Sequence, residues 1–262
     1  MTWVGLGRPK GSLPNTPGAL ARLARYLVPH RTLIPTSGLS IVHSPVDWAV
    51  GCSDQGDESS CEAHGKEKLI WGTAKAQGYA GLRGDHHGIY ALRADDYPSS
   101  GPLPDEGAID STISAGLARF GVLPDGAGPA DVSARLSFSD LETGYLFRVA
   151  AIARLDLGGE ALIDALLGAL ARGCASFSMQ VDASYEALTD GQTWSGPTGP
   201  SLGGHCQAID AWRQGANGVE FGVEGSWGPM FGRVWIPLPV FLAVAGDVTI
   251  ASIVPRIVSE AA

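Results

Sequence analysis

Residues 46–65 read VDWAVGCSDQGDESSCEAHG, a run of acids, glycines and serines that delivers one cysteine, Cys61, to a segment of different character. The Gly, Asp and Ser clusters mark loop. The residues that follow, EAHGKEKLIWGTAKAQ, can run as a helix. A thiol at a helix N-terminus lies in the positive field of the macrodipole, which favours the thiolate, and a neighbouring imidazolium favours it further, to a pKa of ~3–4 in the strongest pairs. A thiolate held this way is a nucleophile, whereas an isolated cysteine more often serves as a small buried hydrophobe. The rest of the chain decides between the two.

The 262 residues are 45 % hydrophobic and 17 % charged, the composition of an ordinary globular chain, so one large domain in two lobes is expected. The 18 basic and 27 acidic residues leave a formal charge of −9, and no basic run is present. A nucleic-acid or anionic-lipid partner is therefore not expected. No apolar run reaches the ~18 residues of a membrane span. The opening MTWVGLGRPKGSLPNTPGAL lacks the charged-then-apolar order of a signal peptide, which gives a cytoplasmic protein as the expectation. Cys52, Cys61, Cys174 and Cys206 are scattered without a CxxC pair, which argues against a disulfide framework or a zinc site.

Along the chain, residues 1–18 read as an extended Pro/Gly-rich arm and GALARLARYLV (18–28) as a short basic helix. Residues 29–60 read mostly as loop. The stretch 81–107 is turn-rich and expected to wind over the surface. In AIDSTISAGLARFGV (108–122), Ile109, Ile113, Leu117 and Phe120 share one helical face, and Gly121 ends the helix. The second half changes period: the helix GEALIDALLGALARG (159–173) is followed at once by the alternating CASFSMQVDAS. HCQAIDAWRQ, GVEFGVEGSW and GRVWIPL are then three strands of an antiparallel meander or barrel. A helical lobe before a β lobe is an α+β layout with a cleft between the lobes.

Gln55 stands six positions before Cys61 in DQG, and this pairing resembles the papain family of cysteine peptidases. Further matches follow in chain order. DEGAIDSTISAGLARFGV is similar to the family's glycine-bearing substrate strand and its helix, CASFSMQVDASYEAL to the strand after the next helix, and LGGHCQAID to the Gly-His strand. EGSWGPMFGRVWIPL is similar to the family's Asn-Ser-Trp-Gly segment and closing strand. The 144 positions between Cys61 and His205 fall in the ~130–150 separation of papain-like chains. The resemblance covers about residues 45–240, is nearest to bacterial or phage members, and leaves out the N-terminal arm, 1–44. It implies the papain-like two-lobe fold, with a helical lobe and an antiparallel barrel-like lobe.

The resemblance also implies roles. Cys61 is the nucleophile, His205 the base that takes its proton and later protonates the leaving amine, and Gln55 an oxyanion donor. Glu106, Gly107 and Gly204 would line the substrate, and Trp227 would support the histidine. The substrate is a peptide or protein, cleaved at a peptide or isopeptide bond through an acyl-enzyme. No cofactor or metal is implied.

Departures weigh against full activity. Gly225 stands where the family's histidine-orienting asparagine would be, and it is expected to leave a small gap or a water beside His205. Glu224 is adjacent, but on a strand its side chain faces the other way. SSCEAH brings Ser59 and Glu62 beside the thiol; Glu62 either raises the thiol pKa or acts as a first-turn helix acid. In GDHHG (84–88), Asp85, His86 and His87 are adjacent without a third cluster, and a solvated loop is expected rather than a metal site. GLGRPKG lacks the order of a phosphate loop.

Two function classes stay open. One is a thiol hydrolase; the other is a catalytically impaired papain-fold component of an assembly such as a virion, in which the arm docks on a protein partner. The arm has too little apolar surface for its own core, so its order must come from docking, on its own cleft as an inhibitory segment or on a neighbour as a tether. The tether is the sequence's expectation, because the arm is short and the triad is incomplete.

Overall fold

The computed structural model describes residues 12–13 and 45–255 apart from 80, 82, 98, 144–146 and 156–158. Helix α1 (Cys61–Ala76) is its axis. Most of this helix is buried, including Glu62, Lys66, Glu67 and Lys68. The helix lies close against the sheet because it carries glycine where it touches: a Cβ on Gly65 would sit 2.6 Å from the Cys206 sulfur, and one on Gly72 would overlap Cys174.

On one side of α1 lies the helical lobe. Asp85 caps α2 (His86–Ala91) by accepting from the Gly88 N–H at 2.6 Å, and the chain continues as a 3-10 turn, Leu92–Asp96. The two-residue strand β3 (Ala108–Ile109) leads into α3 (Asp110–Phe120), which Gly121 terminates with φ of 80°. Ile70, Ile89, Tyr90, Ile113 and Leu117 form the core of this lobe. The expectation of a surface loop over 81–107 is corrected here. Ile89, Tyr90 and Arg93 are buried, because the Asp85 cap starts a helix that sequence punctuation alone reads as turn.

On the other side, β5 (Ala175–Val181), β6 (Gly203–Gly215), β7 (Gly218–Glu224) and β8 (Arg233–Pro237) form the expected antiparallel meander. β2 (Val46–Asp47) adds to β6, with Val46 opposite Trp212. Two strands that the sequence reading did not place complete the sheet: β4 (Phe147–Leu155) and β9 (Ala245–Pro255), in the order β4-β9-β5-β6-β7-β8. Among the described residues this sheet is open, so the antiparallel lobe is barrel-like only loosely. Its core holds Phe177, Ile209, Phe221, Phe231 and Phe241, roofed by α5 (Gly159–Leu170) through Leu162, Leu166 and Leu170. Val149, Ile152 and Ile253, on β4 and β9, belong instead to the core of the helical lobe. The sheet edge thus joins the two lobes.

Among the described residues the remaining α-helices are short: α4 (Phe138–Thr143), α6 (Ala183–Glu186) and α7 (Leu238–Val244). The expected basic helix 18–28 and nearly all of the arm 1–44 lie outside the described residues. The exception is β1 (Ser12–Leu13), which pairs in parallel with β3, Ser12 opposite Ala108 and Leu13 opposite Ile109, and also lies against β6. Among the described residues no helix is long and apolar enough to cross a membrane.

Candidate active site

The loop before α1 is held from two sides and by bonds within itself. The Ser59 N–H donates to both carboxylate oxygens of Asp105 at 3.1 Å, and the Ser60 hydroxyl donates to Glu58 Oε2 at 2.9 Å. Gln55 is buried: its backbone N–H donates to the Ser226 carbonyl at 2.8 Å, its Oε1 accepts from the Ser226 hydroxyl, and its Nε2 donates to the Glu58 carbonyl at 2.5 Å. These contacts set Cys61 as the first residue of α1, where backbone N–H groups lack intrahelical partners and the dipole is positive. The Cys61 sulfur is fully buried and accepts the N–H of Cys206 at 3.5 Å. The nucleophile candidate therefore abuts β6 one residue beyond His205.

His205, also fully buried, lies flat on Trp227, with ring centroids 4.0 Å apart and planes 16° from parallel. Continuing the β6–β7 register beyond its last pair, Ala208 opposite Glu224, puts Gln207 across from Gly225 and His205 across from Trp227. Strand period then places His205 and Gln207 on one face. Gln207 Oε1 accepts the Tyr185 hydroxyl at 2.5 Å and is 3.5 Å from where a Cβ of residue 225 would be, while Gln207 Nε2 has no hydrogen-bond partner among the described residues.

Gly225 does not leave the expected gap. A Cβ there would meet the Phe231 ring at 2.9 and 3.0 Å, closer than real Cβ contacts, and the Gly225 carbonyl takes Lys68 Nζ and, at 3.1 Å, the Cys52 thiol. The 225–228 segment is stitched to the nucleophile loop by the Asp54–Trp227 bridge and by the Gly228 N–H, which donates to the Ser53 carbonyl at 2.9 Å. Glu224 turns instead to Arg233, 3.3 Å away. Burial, then the charge of Asp210, pushes its carboxyl up to about 7.

Glu62 is fully buried beside Lys66, 3.6 Å away, and Lys66 also binds Asp110 and, at 2.9 Å, the Ser176 hydroxyl. Burial and the Asp110 charge push the Glu62 carboxyl up. Burial alone would depress the Lys66 amine, but Asp110 and Glu62 outweigh it and raise its pKa. Of the other thiols, burial pushes Cys52 up and Cys174 and Cys206 well above the ordinary value, the Cys206 shift reinforced by the Glu62 charge.

The residues expected to line the substrate lie on two separate segments. Glu106 is exposed, Gly107 is buried at φ of 103°, and Gly204 is the second residue of β6. The sequence reading missed the residues that tie this wall to the nucleophile loop: the Tyr90 hydroxyl donates to Asp105 at 2.7 Å and accepts the Gly107 N–H at 3.1 Å. Gln207 was also missed, although it is a buried polar residue two positions from the Gly-His pair.

The histidines of GDHHG are not on a solvated loop, which corrects that expectation. His86 stacks on His64 of α1, centroids 4.4 Å apart, and one ligand atom each from Glu58, His64 and His86 lie within 4.8 Å of one another. Burial first and then the charge of His86 hold His64 well below the ordinary imidazole range. Asp85 takes no part. Its carboxylate caps α2 and accepts the Gly126 N–H at 3.0 Å.

No protein-family model and no curated protein matches the chain. Solved structures do. Xylellain, a cysteine protease from Xylella fastidiosa, is similar at 19 % identity with a TM-score of 0.68, over 96 % of this chain and 99 % of that one. A recombinant stem bromelain precursor matches at 14 % identity and TM-score 0.62 over 95 % of this chain and 76 % of that one. Digestive procathepsin L 3 of Tenebrio molitor matches at 14 % and 0.60 over 89 % and 77 %. With its helical lobe, its antiparallel sheet and a cysteine-headed helix between them, the chain has the fold of the papain-like cysteine proteases.

Proposed function

We propose that the protein is a thiol hydrolase that cleaves peptide or isopeptide bonds, with Cys61 as nucleophile and His205 as its base. The observation that carries this reading is the seating of the Cys61 sulfur at the N-terminus of α1, against β6 one residue past a histidine that is stacked on Trp227. The thiolate attacks the carbonyl carbon, the C–N bond breaks, and His205 returns the proton to the departing amine. Water, deprotonated by His205, then splits the thioester and releases the acid. The Gln55 amide, oriented by its bond to the Glu58 carbonyl, and the N–H of Cys61 are the oxyanion donors in this reading.

Without an asparagine at 225, the positioning of the imidazole falls to Trp227 and Gln207. Half a turn of the Gln207 amide lets Nε2 donate to Tyr185 Oη, which accepts as readily as it donates, and presents Oε1 on the other side as an acceptor for an imidazole N–H.

Residues 1–44 form an arm that docks on its own cleft, while 45–262 form the hydrolase domain. The pairing of β1 with β3, directly beyond Gly107, and its position against β6 support this reading over the tether. The full burial of Cys61 and His205 agrees with a closed form. Deleting residues 1–40 is expected to speed labelling of Cys61 by an epoxide or vinyl-sulfone probe. If deletion instead abolishes assembly and leaves labelling unchanged, the scaffold reading, with the arm as tether, replaces this one.

A further inference from the structure

One helical turn past the nucleophile, three side chains that are remote in sequence converge. Glu58 comes from the loop before α1, His64 from α1 and His86 from the first residue of α2, and one ligand atom of each lies within 4.8 Å of the others. His64 is 2 % exposed, and neither of its ring nitrogens has a hydrogen-bond partner among the described residues; the nearest acid, Glu67 Oε2, is 4.0 Å from Nδ1. A buried imidazole without a partner is the kind of group that an ion or a water satisfies. We infer that Glu58, His64 and His86 form a binding site for a divalent transition-metal ion of the zinc class.

The donor set selects the ion. Two imidazoles and one carboxylate suit Zn²⁺, Co²⁺ or Ni²⁺, whereas Mg²⁺ and Ca²⁺ take oxygen ligands. An ion bound at ~2.0–2.2 Å needs its ligands closer together than 4.8 Å and the His86 ring turned out of its stack on His64, so that both imidazole nitrogens aim at one point; half-buried Glu58 and His86 are the side chains that rotate. The surroundings supply an outer shell. His87 Nε2 is 3.0 Å from Glu58 Oε1, and its Nδ1 is 3.0 Å from the Pro129 carbonyl, so the ring can fix the carboxylate. The Ser60 hydroxyl holds the other carboxylate oxygen at 2.9 Å. Because the Glu58 carbonyl receives the Gln55 amide, an ion here would also fix the loop that delivers Cys61.

This inference stands apart from the hydrolase reading and is tested without it. In the full chain carrying Cys61→Ser, which removes the competing active-site thiol, Co²⁺ and Zn²⁺ are titrated and followed by visible absorption, calorimetry and the thermal midpoint. The site predicts one equivalent bound, a higher midpoint with Zn²⁺, no competition from excess Mg²⁺, and affinity lower by at least about 100-fold in His86→Ala and Glu58→Gln. Both variants alter half-buried positions, and circular dichroism checks that they fold. Binding of equal strength in the variants, or a cobalt spectrum showing thiolate ligation, would overturn the proposal in favour of Cys52, Cys174 or Cys206. Absence of binding at micromolar ion would overturn it outright.

Discussion

Position 225 is packed too tightly for a side chain. Phe231 occupies the space an asparagine would need, so Gly225→Asn is expected to destabilise the protein by ~1–3 kcal/mol through overpacking and to leave probe labelling of Cys61 no faster. Chemical denaturation and labelling rates check this together. Gln207 is the complementary case. Gln207→Leu should lower kcat by at least about 10-fold with little change in KM and displace the pH–rate profile, whereas Gln207→Glu, which keeps an acceptor, should restore the profile. Equal losses in both variants with an unmoved profile would reduce Gln207 to a packing residue. Neither the Phe231 contact nor the placement of Gln207 was legible in the sequence. The motif spacing located Cys61, His205 and Trp227, but Gln207 became visible only once the register put it across from Gly225.

At the scale of elements, α1 carries charges through the interior. Lys66 offsets buried Glu62 and Asp110, so Lys66→Met should cost ~3–5 kcal/mol, and adding Asp110→Leu should recover part of that loss, as read by urea unfolding. The elements best read from sequence were those with one solvent face or clear ends: α3, with its apolar stripe and Gly121, and the β6–β7–β8 meander with its glycine turns. β9 escaped notice because it follows α7 directly, Val244 to Ala245, without a turn signal, and because it lies between β4 and β5. The Glu58–His64–His86 cluster was hidden for a different reason. Its members stand on three elements, and their approach depends on α1 packing against α2.

Across the whole molecule, Glu224 links the sheet to α1 electrostatically, close to Arg233 of β8 and within the field of Lys68 of α1. Its folded pKa of about 7 exceeds the ordinary value, so the folded state holds this proton more tightly than the unfolded chain. Its contribution is neutral below the unfolded pKa of 4.5 and becomes a penalty on the order of 3 kcal/mol as pH rises to about 7. Glu224→Gln should remove that part of the slope from a stability-against-pH curve; an unchanged slope would mean that Glu224 is ionised throughout. The central claim is that Cys61 is a nucleophile activated by His205. Its most direct test is mass-spectrometric mapping of epoxide labelling at neutral pH in the full chain, in the chain lacking residues 1–40, and in each form with Cys61→Ser or His205→Ala. The account predicts labelling confined to Cys61 among the four cysteines, faster without the arm and lost in both substitutions. Labelling spread over Cys52, Cys174 and Cys206, or a Cys61 rate that His205→Ala leaves unchanged, would contradict it.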